Sequence, residues 1–159
     1  MKRRTWIIAL VVLGAIGWYL FRPELLFLNK KVSEEQVAST GATTPSALFT
    51  GQFHSVAHET HGDVTVQDVG NGQRILRLSG FATSNGPDVR VYLVAAPDAA
   101  DNETVTKAGF IELGALKGNE GDQNYEIPSD VDLGKYRAVT IWCRRFGVNF
   151  ATAPLAPAS

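Results

Sequence analysis

The first part of the chain is an uninterrupted hydrophobic stretch. From Thr5 to Phe21 there are 17 residues without a charge, most of them aliphatic or aromatic. As a helix such a stretch is about 26 Å long, close to the shortest that crosses a hydrocarbon core of about 30 Å. Trp6 and Trp18 stand near its two ends, where amphipathic rings favour the membrane interfaces. The pattern predicts a single N-terminal transmembrane helix.

The charges beside this stretch predict its orientation. Lys2, Arg3 and Arg4 precede it, and basic residues favour the cytoplasmic side of a membrane. Residues 1–22 are therefore predicted to be a cytoplasmic tip and an uncleaved signal anchor, with the rest of the chain extracytoplasmic at the cell membrane. The alternative is a cleaved signal peptide and a secreted protein, because Trp6–Ile16 has the length of a signal-peptide core. The anchor is favoured because the hydrophobic run continues past the small residues Ala15 and Gly17.

Residues 23–47 form the predicted juxtamembrane linker. Pro23 suits the first turn of a short interfacial helix, and residues 33–36 are expected to add one helical turn. Small polar residues dominate from Ser39 to Ser46, which predicts a flexible spacer between the membrane and the second part of the chain.

Residues 48–155 show short runs of β-favouring residues separated by turn residues. Asn71-Gly72 and Asn85-Gly86 are strong turn signals. No window of 12 residues has helical periodicity, which argues against folds built from alternating strands and helices. About eight such runs predict an all-β, antiparallel β-sandwich, followed by a C-terminal tail at 156–159. The segment Pro97–Lys107, with its Asn102-Glu103-Thr104 sequon, is predicted to be an exposed loop.

Length and charge limit the class of function. The chain has 159 residues, room for one ordinary domain, and its 15 basic and 16 acidic residues give a net charge of −1. Residues 1–47 carry six basic and three acidic side chains, whereas the remainder carries nine and thirteen. The second part is therefore acidic, which argues against nucleic acid as a partner.

Cys143 is the one cysteine in the chain and the main candidate for chemistry. Alternation along its strand places it with Val139 and Ile141 on the core face. Four interpretations remain open: a buried core residue, a redox thiol, a haem or metal ligand, and an intermolecular disulfide. The neighbouring Arg144 and Arg145 would favour a thiolate. Motifs of classical hydrolases are missing from the sequence, so a classical enzyme is not expected.

Other candidate residues give weaker signals. His54, His58 and His61 are close in sequence, but they lie in a predicted strand and turn, so solvated side chains are favoured over a metal site. The four residues Asn85, Gly86, Pro87 and Asp88 are explained most simply as a turn. The functional alternative is a loop at the mouth of a site.

Several segments resemble the DM-thirteen domain, often labelled an electron-transfer domain. The resemblance runs from about Leu48 to Leu155 and rests mainly on residues 83–93, 114–128 and 136–146, which read TSNGPDVRVYL, GALKGNEGDQNYEIP and YRAVTIWCRRF. It implies a DOMON-related, jelly-roll-like β-sandwich. It also implies a redox role for Cys143, as a free thiol or through a prosthetic group such as haem. His58 fits the pattern and is a candidate second ligand, and Arg145 is a candidate residue of the site loop.

These observations predict a membrane-anchored, extracytoplasmic electron-transfer protein that acts through Cys143 with a redox partner or another envelope protein. The alternative is a non-catalytic module of the cell envelope that binds a ligand or a protein partner. A third interpretation is a purely structural domain with a core cysteine.

Overall fold

The computed structural model describes residues 2–21, 28–38 and 45–158. Two helices are present in these residues, α1 (Lys2–Phe21) and α2 (Asn102–Ala108). The strands are β1 (Lys31–Ser33), β2 (Ser46–Gln52), β3 (His54–Ser55), β4 (His61–Asp68), β5 (Arg74–Ala82), β6 (Val89–Val94), β7 (Phe110–Ala115), β8 (Glu120–Ile127), β9 (Ala138–Cys143), β10 (Val148–Pro154) and β11 (Ala156–Pro157).

The strands form two sheets, as the sequence pattern predicts. The six-stranded sheet has the order β1-β8-β5-β4-β2-β11, and the five-stranded sheet has the order β3-β10-β9-β6-β7. All pairs are antiparallel except β1 with β8. The prediction of an all-β sandwich is confirmed. Eight strands have six or more residues, and the three others have two or three, too few to appear as runs in the sequence.

The main core lies between the inner faces of the two sheets. Val64, Val66, Leu76 and Leu78 from the six-stranded sheet pack in one cluster with residues of the five-stranded sheet such as Val91. Alternation of inward and outward residues along each strand produces this face. The outward residues of the six-stranded sheet are mostly polar.

The outer face of the five-stranded sheet is also covered, so every residue of β9 is buried. Tyr92 and Trp142 lie on this face in a second cluster with Val105 of α2. The prediction of an exposed loop at Pro97–Lys107 is therefore wrong from Asn102 onward, where the chain is helical, whereas most residues of the segment are exposed as predicted. The Asp101 side chain accepts a hydrogen bond from the backbone N–H of Thr104 and caps the helix, and Val105 buries its side chain completely.

Helix α1 presents apolar side chains to its surroundings along its length. Its described side chains run from Arg4 to Tyr19, and the large hydrophobic ones among them are exposed. In the described ranges no helix is both long and apolar enough to cross a membrane. The transmembrane part of the fold prediction is therefore not confirmed.

Part of the predicted linker is folded against the sandwich. Residues 31–33 form β1, which pairs in parallel with β8, so the helical turn expected at 33–36 is wrong. An extended conformation lets this segment satisfy the free edge of β8 with backbone hydrogen bonds. The interfacial helix expected from Pro23 and most of the spacer expected at 39–46 lie outside the described residues. At the other end of the chain, β11 takes up two residues of the predicted tail and pairs with β2.

Candidate functional site

Cys143 lies at the end of β9, on its core face. Its backbone is in register with Val89 of β6 and Val148 of β10. The side chain has 0% exposure and belongs to the main core cluster together with Val139 and Ile141. The predicted position, on the inner face near the strand's end, is confirmed.

The thiol of Cys143 is free and its surroundings are apolar. No disulfide involves it, and Val89 and Phe150 are members of the same buried cluster. A cysteine in such a setting packs as a small hydrophobic residue. Reaction with any reagent or partner therefore requires that the thiol first become accessible.

His58 touches the core through a neighbouring aromatic ring. Its ring contacts that of Phe150 in a tilted arrangement, with centroids 3.8 Å apart and planes inclined by 37°. Its backbone N–H donates to the Phe150 carbonyl oxygen at 3.2 Å. Within the described parts of the chain, no hydrogen bond or ring contact joins His58 to Cys143. The structure therefore brings His58 to the edge of the cluster that contains Cys143 without pairing the two side chains.

The turn at residues 85–88 lines an open cleft of about 270 Å³. Leu116, Lys117 and Asn119 also line the cleft, as do Leu28 and Lys30. Gly86 is needed in this turn because a Cβ there would lie 2.7 Å from Val89 Cγ2 and 3.1 Å from Phe150 Cζ. The loop thus rests directly on the part of the core that contains Cys143 and Phe150.

An ion-pair network holds this loop to the sheet. Asp88 accepts hydrogen bonds from Arg90 Nε at 2.6 Å and from Arg144 Nε at 2.9 Å. Glu112 accepts a further bond from Arg90 Nη1 at 2.9 Å. Burial acts to raise the pKa of Asp88, but the hydrogen bonds and charges of the two arginines outweigh it, so that pKa lies below its ordinary value.

Arg144, and not the predicted Arg145, connects the turn after β9 to the site loop. The backbone N–H of Arg144 also donates to the Asp88 carbonyl oxygen at 2.9 Å. Arg145 is exposed, and its side chain forms no ion pair with any of the described residues. Sequence alone cannot separate two adjacent arginines in a turn, because the conformation of the turn decides which of them faces Asp88.

These features lie in a region of the chain that matches a known sequence family. A family model described as "Electron transfer DM13" matches residues 52–155.

The chain belongs to the DM13 electron-transfer family.

The resemblance inferred from the sequence is thereby confirmed. Comparison with curated proteins gave no match, and comparison with solved structures gave none either. The matched region contains Cys143, His58 and the loop at 85–88, whereas β1 precedes it.

Haem does not fit the arrangement of candidate ligands in the DM13 domain. Cys143 is enclosed by core side chains, and the face of the His58 imidazole is occupied by Phe150. The cleft beside the loop contains neither residue among its lining, and its volume of about 270 Å³ is below the roughly 300–1,000 Å³ typical of sites for drug-sized ligands. We therefore derive no step through haem.

The three histidines do not converge on a metal site. Nε2 of His54 is 3.1 Å from an Asp98 carboxylate oxygen, and His61 begins β4. Across the described residues, no group of three or more His, Cys, Asp or Glu side chains is placed to hold a metal ion.

An aromatic stack on the outer face of the DM13 domain was not anticipated from the sequence. The rings of Tyr92 and Phe110 are parallel with centroids 4.2 Å apart, and Trp142 lies 6.3 Å from Tyr92 on its other side. Burial and the negative charge of Glu112 raise the pKa of Tyr92. The stack places Trp142, the direct neighbour of Cys143, within a chain of rings that reaches the half-exposed Phe110.

Proposed function

We propose that this protein is an electron-transfer module attached to a membrane, with Cys143 as its redox-active group. The DM13 family match is the observation that carries the proposal. Cys143 supports it because it is the one cysteine of the chain and adjoins the site loop through the backbone pairing with Val89. The electron donor or acceptor is then another protein of the cell envelope.

The thiol chemistry requires a disulfide from outside the chain, because this chain supplies a single cysteine. The Cys143 thiolate attacks one sulfur of a disulfide in the partner protein, a mixed disulfide forms, and the other sulfur of the partner leaves as a thiolate. The partner disulfide is the oxidant in this exchange, and a thiolate of a second envelope protein that attacks the partner's sulfur in the mixed disulfide releases Cys143 again. Because Cys143 is fully buried, the reaction follows a local opening in which the exposed turn at residues 144–147 separates from the loop at 85–88.

A thiol titration and a redox titration test this function. In the full-length protein in detergent, Cys143 should react slowly with a thiol reagent at a rate limited by opening, and much faster in denaturant. In a buffer of reduced and oxidised glutathione, which stands in for the partner, a reversible midpoint for mixed-disulfide formation should be measurable and should vanish in Cys143→Ala. No Soret band is expected with or without added haem. A thiol that reacts only after denaturation, with the same redox signal in Cys143→Ala, would refute the role of this residue.

The cleft favours a second candidate function, the binding of a small ligand without catalysis. Its lining combines the amides of Asn85 and Asn119 with the ammonium group of Lys30, which suits a small polar molecule. Native mass spectrometry of the purified protein should then show a retained mass. Ser84→Trp, which fills the cleft, should remove that mass, whereas Thr106→Trp on the exposed side of α2 should leave it. The same retained mass in all three proteins, or no retained mass in any of them, would argue against a ligand in the cleft.

Attachment to the membrane is proposed to occur through α1, with the N-terminus in the cytoplasm and the DM13 domain outside. A helix that is apolar on all sides requires an apolar environment, and large hydrophobic side chains of α1 such as Trp6 and Leu13 are 72% and 65% exposed. The protein should remain in membranes after alkaline extraction and should be released when residues 2–21 are deleted. N-terminal sequencing of the mature protein distinguishes anchoring from cleavage and secretion, the latter giving a start near Trp18 or later.

A further inference from the structure

Residues 28–36, which we call the strap, run along the outer edge of β8. Side chains of the domain form hydrogen bonds with the strap at both of its ends. At the first end, the side chain of Asn29 donates to Glu120 Oε1 at 2.7 Å and accepts bonds from Asn85 and Asn119, each at 3.1 Å. The backbone N–H of Lys30 donates to Asn119 Oδ1 at 2.7 Å. The beginning of the strap is thus held by three side chains from two separate segments of the domain.

Glu34 is the recognised residue at the other end of the strap. Its carboxylate accepts from Lys117 Nζ at 2.7 and 2.9 Å and from the backbone N–H of Asn124 at 2.7 Å. Its carbonyl oxygen accepts from Arg77 Nη1 at 3.2 Å. Burial acts to raise the pKa of Glu34, but the bonds from Lys117 and Asn124 hold it below its ordinary value.

Between these ends the domain presents backbone and glycine to the strap. β1 pairs with β8 in parallel, with Val32 opposite Gly121. A Cβ at Gly121 would collide with the carbonyl oxygen of Val32, and a Cβ at Gly118 would collide with the carbonyl oxygen of Lys30. The edge of β8 is therefore shaped for close approach of an extended backbone, as in sites that bind peptides by strand addition.

The sandwich does not need the strap for its core. Neither hydrophobic cluster contains a residue of the strap, and its contacts are hydrogen bonds and ion pairs at an edge. These observations separate the strap from the folding unit that it covers.

We propose that the edge of β8 is a peptide-binding groove for an extended segment carrying Asn and Glu five positions apart, and that the strap is its resident, exchangeable ligand. The groove adjoins the cleft, because Lys30, Lys117 and Asn119 line the cleft and also contact the strap or belong to it. Departure of the strap removes one wall of the cleft and opens the edge of β8. This proposal does not depend on the redox role of Cys143.

A cut chain tests the exchange. A protease site is inserted between residues 38 and 45 of the full-length protein, which is purified in detergent and cleaved. The probe is a fluorescently labelled synthetic peptide with the sequence of residues 28–38. We expect the peptide to displace the strap fragment and to bind saturably, while the near-ultraviolet circular dichroism of the domain stays unchanged. Absence of binding, or loss of the dichroism when the strap leaves, would overturn the proposal.

Two matched peptides test the recognition. Glu34→Gln removes the charge that contacts Lys117 and the Asn124 amide, and we expect about tenfold weaker binding. Glu35→Gln is the control, because the Glu35 side chain is exposed and only its carbonyl oxygen is bound, by Asn124 Nδ2. In the domain, Lys117→Gln should weaken binding of the unsubstituted peptide. The same substitution should cause little further loss of affinity for the Glu34→Gln peptide. Equal binding of both glutamine peptides would refute recognition of Glu34.

Discussion

The clearest test of the surroundings of Cys143 is a pair of substitutions, to serine and to alanine. The structure places the sulfur in an apolar cluster at 0% exposure. Cys143→Ala removes one buried heavy atom, comparable to a methyl group, and should reduce the free energy of unfolding by about 0.5–1.5 kcal/mol. Cys143→Ser puts a hydroxyl into the same place, within a cluster of buried hydrophobic side chains.

An unpartnered buried hydroxyl costs about 1–3 kcal/mol. We therefore expect the serine variant to be less stable than the alanine variant, with a melting temperature lower by about 4 °C or more. The order of the two stabilities is the decisive result. Serine is closer to cysteine in shape than alanine is, so a less stable serine variant would reflect the polarity of the hydroxyl rather than a difference in packing.

The measurement is urea unfolding of chains that begin at residue 28, which retain the strap. These chains contain one tryptophan, Trp142, since Trp6 and Trp18 are removed with α1. Trp142 adjoins residue 143 and is 6% exposed, so its fluorescence reports loss of the surrounding packing. A serine variant as stable as the alanine variant would refute the reasoning, since it would mean that water or a polar group reaches position 143.

Three further predictions concern polar groups. Asp88→Asn should lower the free energy of unfolding at pH 7 by about 1 kcal/mol. Because the pKa of Asp88 is lowered in the fold, the stability from this group is present at neutral pH and is lost as pH falls from the ordinary value through the lowered one. The difference between the two proteins in urea unfolding should therefore shrink in acid. Gln123→Leu should lower the free energy of unfolding, measured with urea, by about 2–4 kcal/mol. The buried Gln123 side chain accepts hydrogen bonds from two backbone amides and donates one to the Gly118 carbonyl oxygen at 2.8 Å. An unchanged stability would contradict the importance of this network. Thr140→Val should be neutral or stabilising in thermal melts, because the Thr140 hydroxyl is buried without a partner in the described part of the chain; a clear loss of stability would indicate a bound water.

The sequence determined the features that depend on local pattern. Strand periodicity placed Val139, Ile141 and Cys143 on one face of β9, and the structure has them together in the core. The turn residues at 85–88 were recognisable because glycine and proline restrict the backbone in the same way in every protein. The family followed from ordered segments of sequence, which need no knowledge of packing.

Only the tertiary structure decided which distant residues meet. Glu34 and Lys117 are 83 positions apart in the chain, and no local signal indicates that a linker will complete the edge of β8. The choice of Arg144 over Arg145 depends on how one turn is oriented toward Asp88, and the burial of both faces of β9 depends on where α2 lies. Sequence pattern reports the face and conformation of each segment, whereas the pairing of edges and charges is set by the arrangement of the whole chain in space.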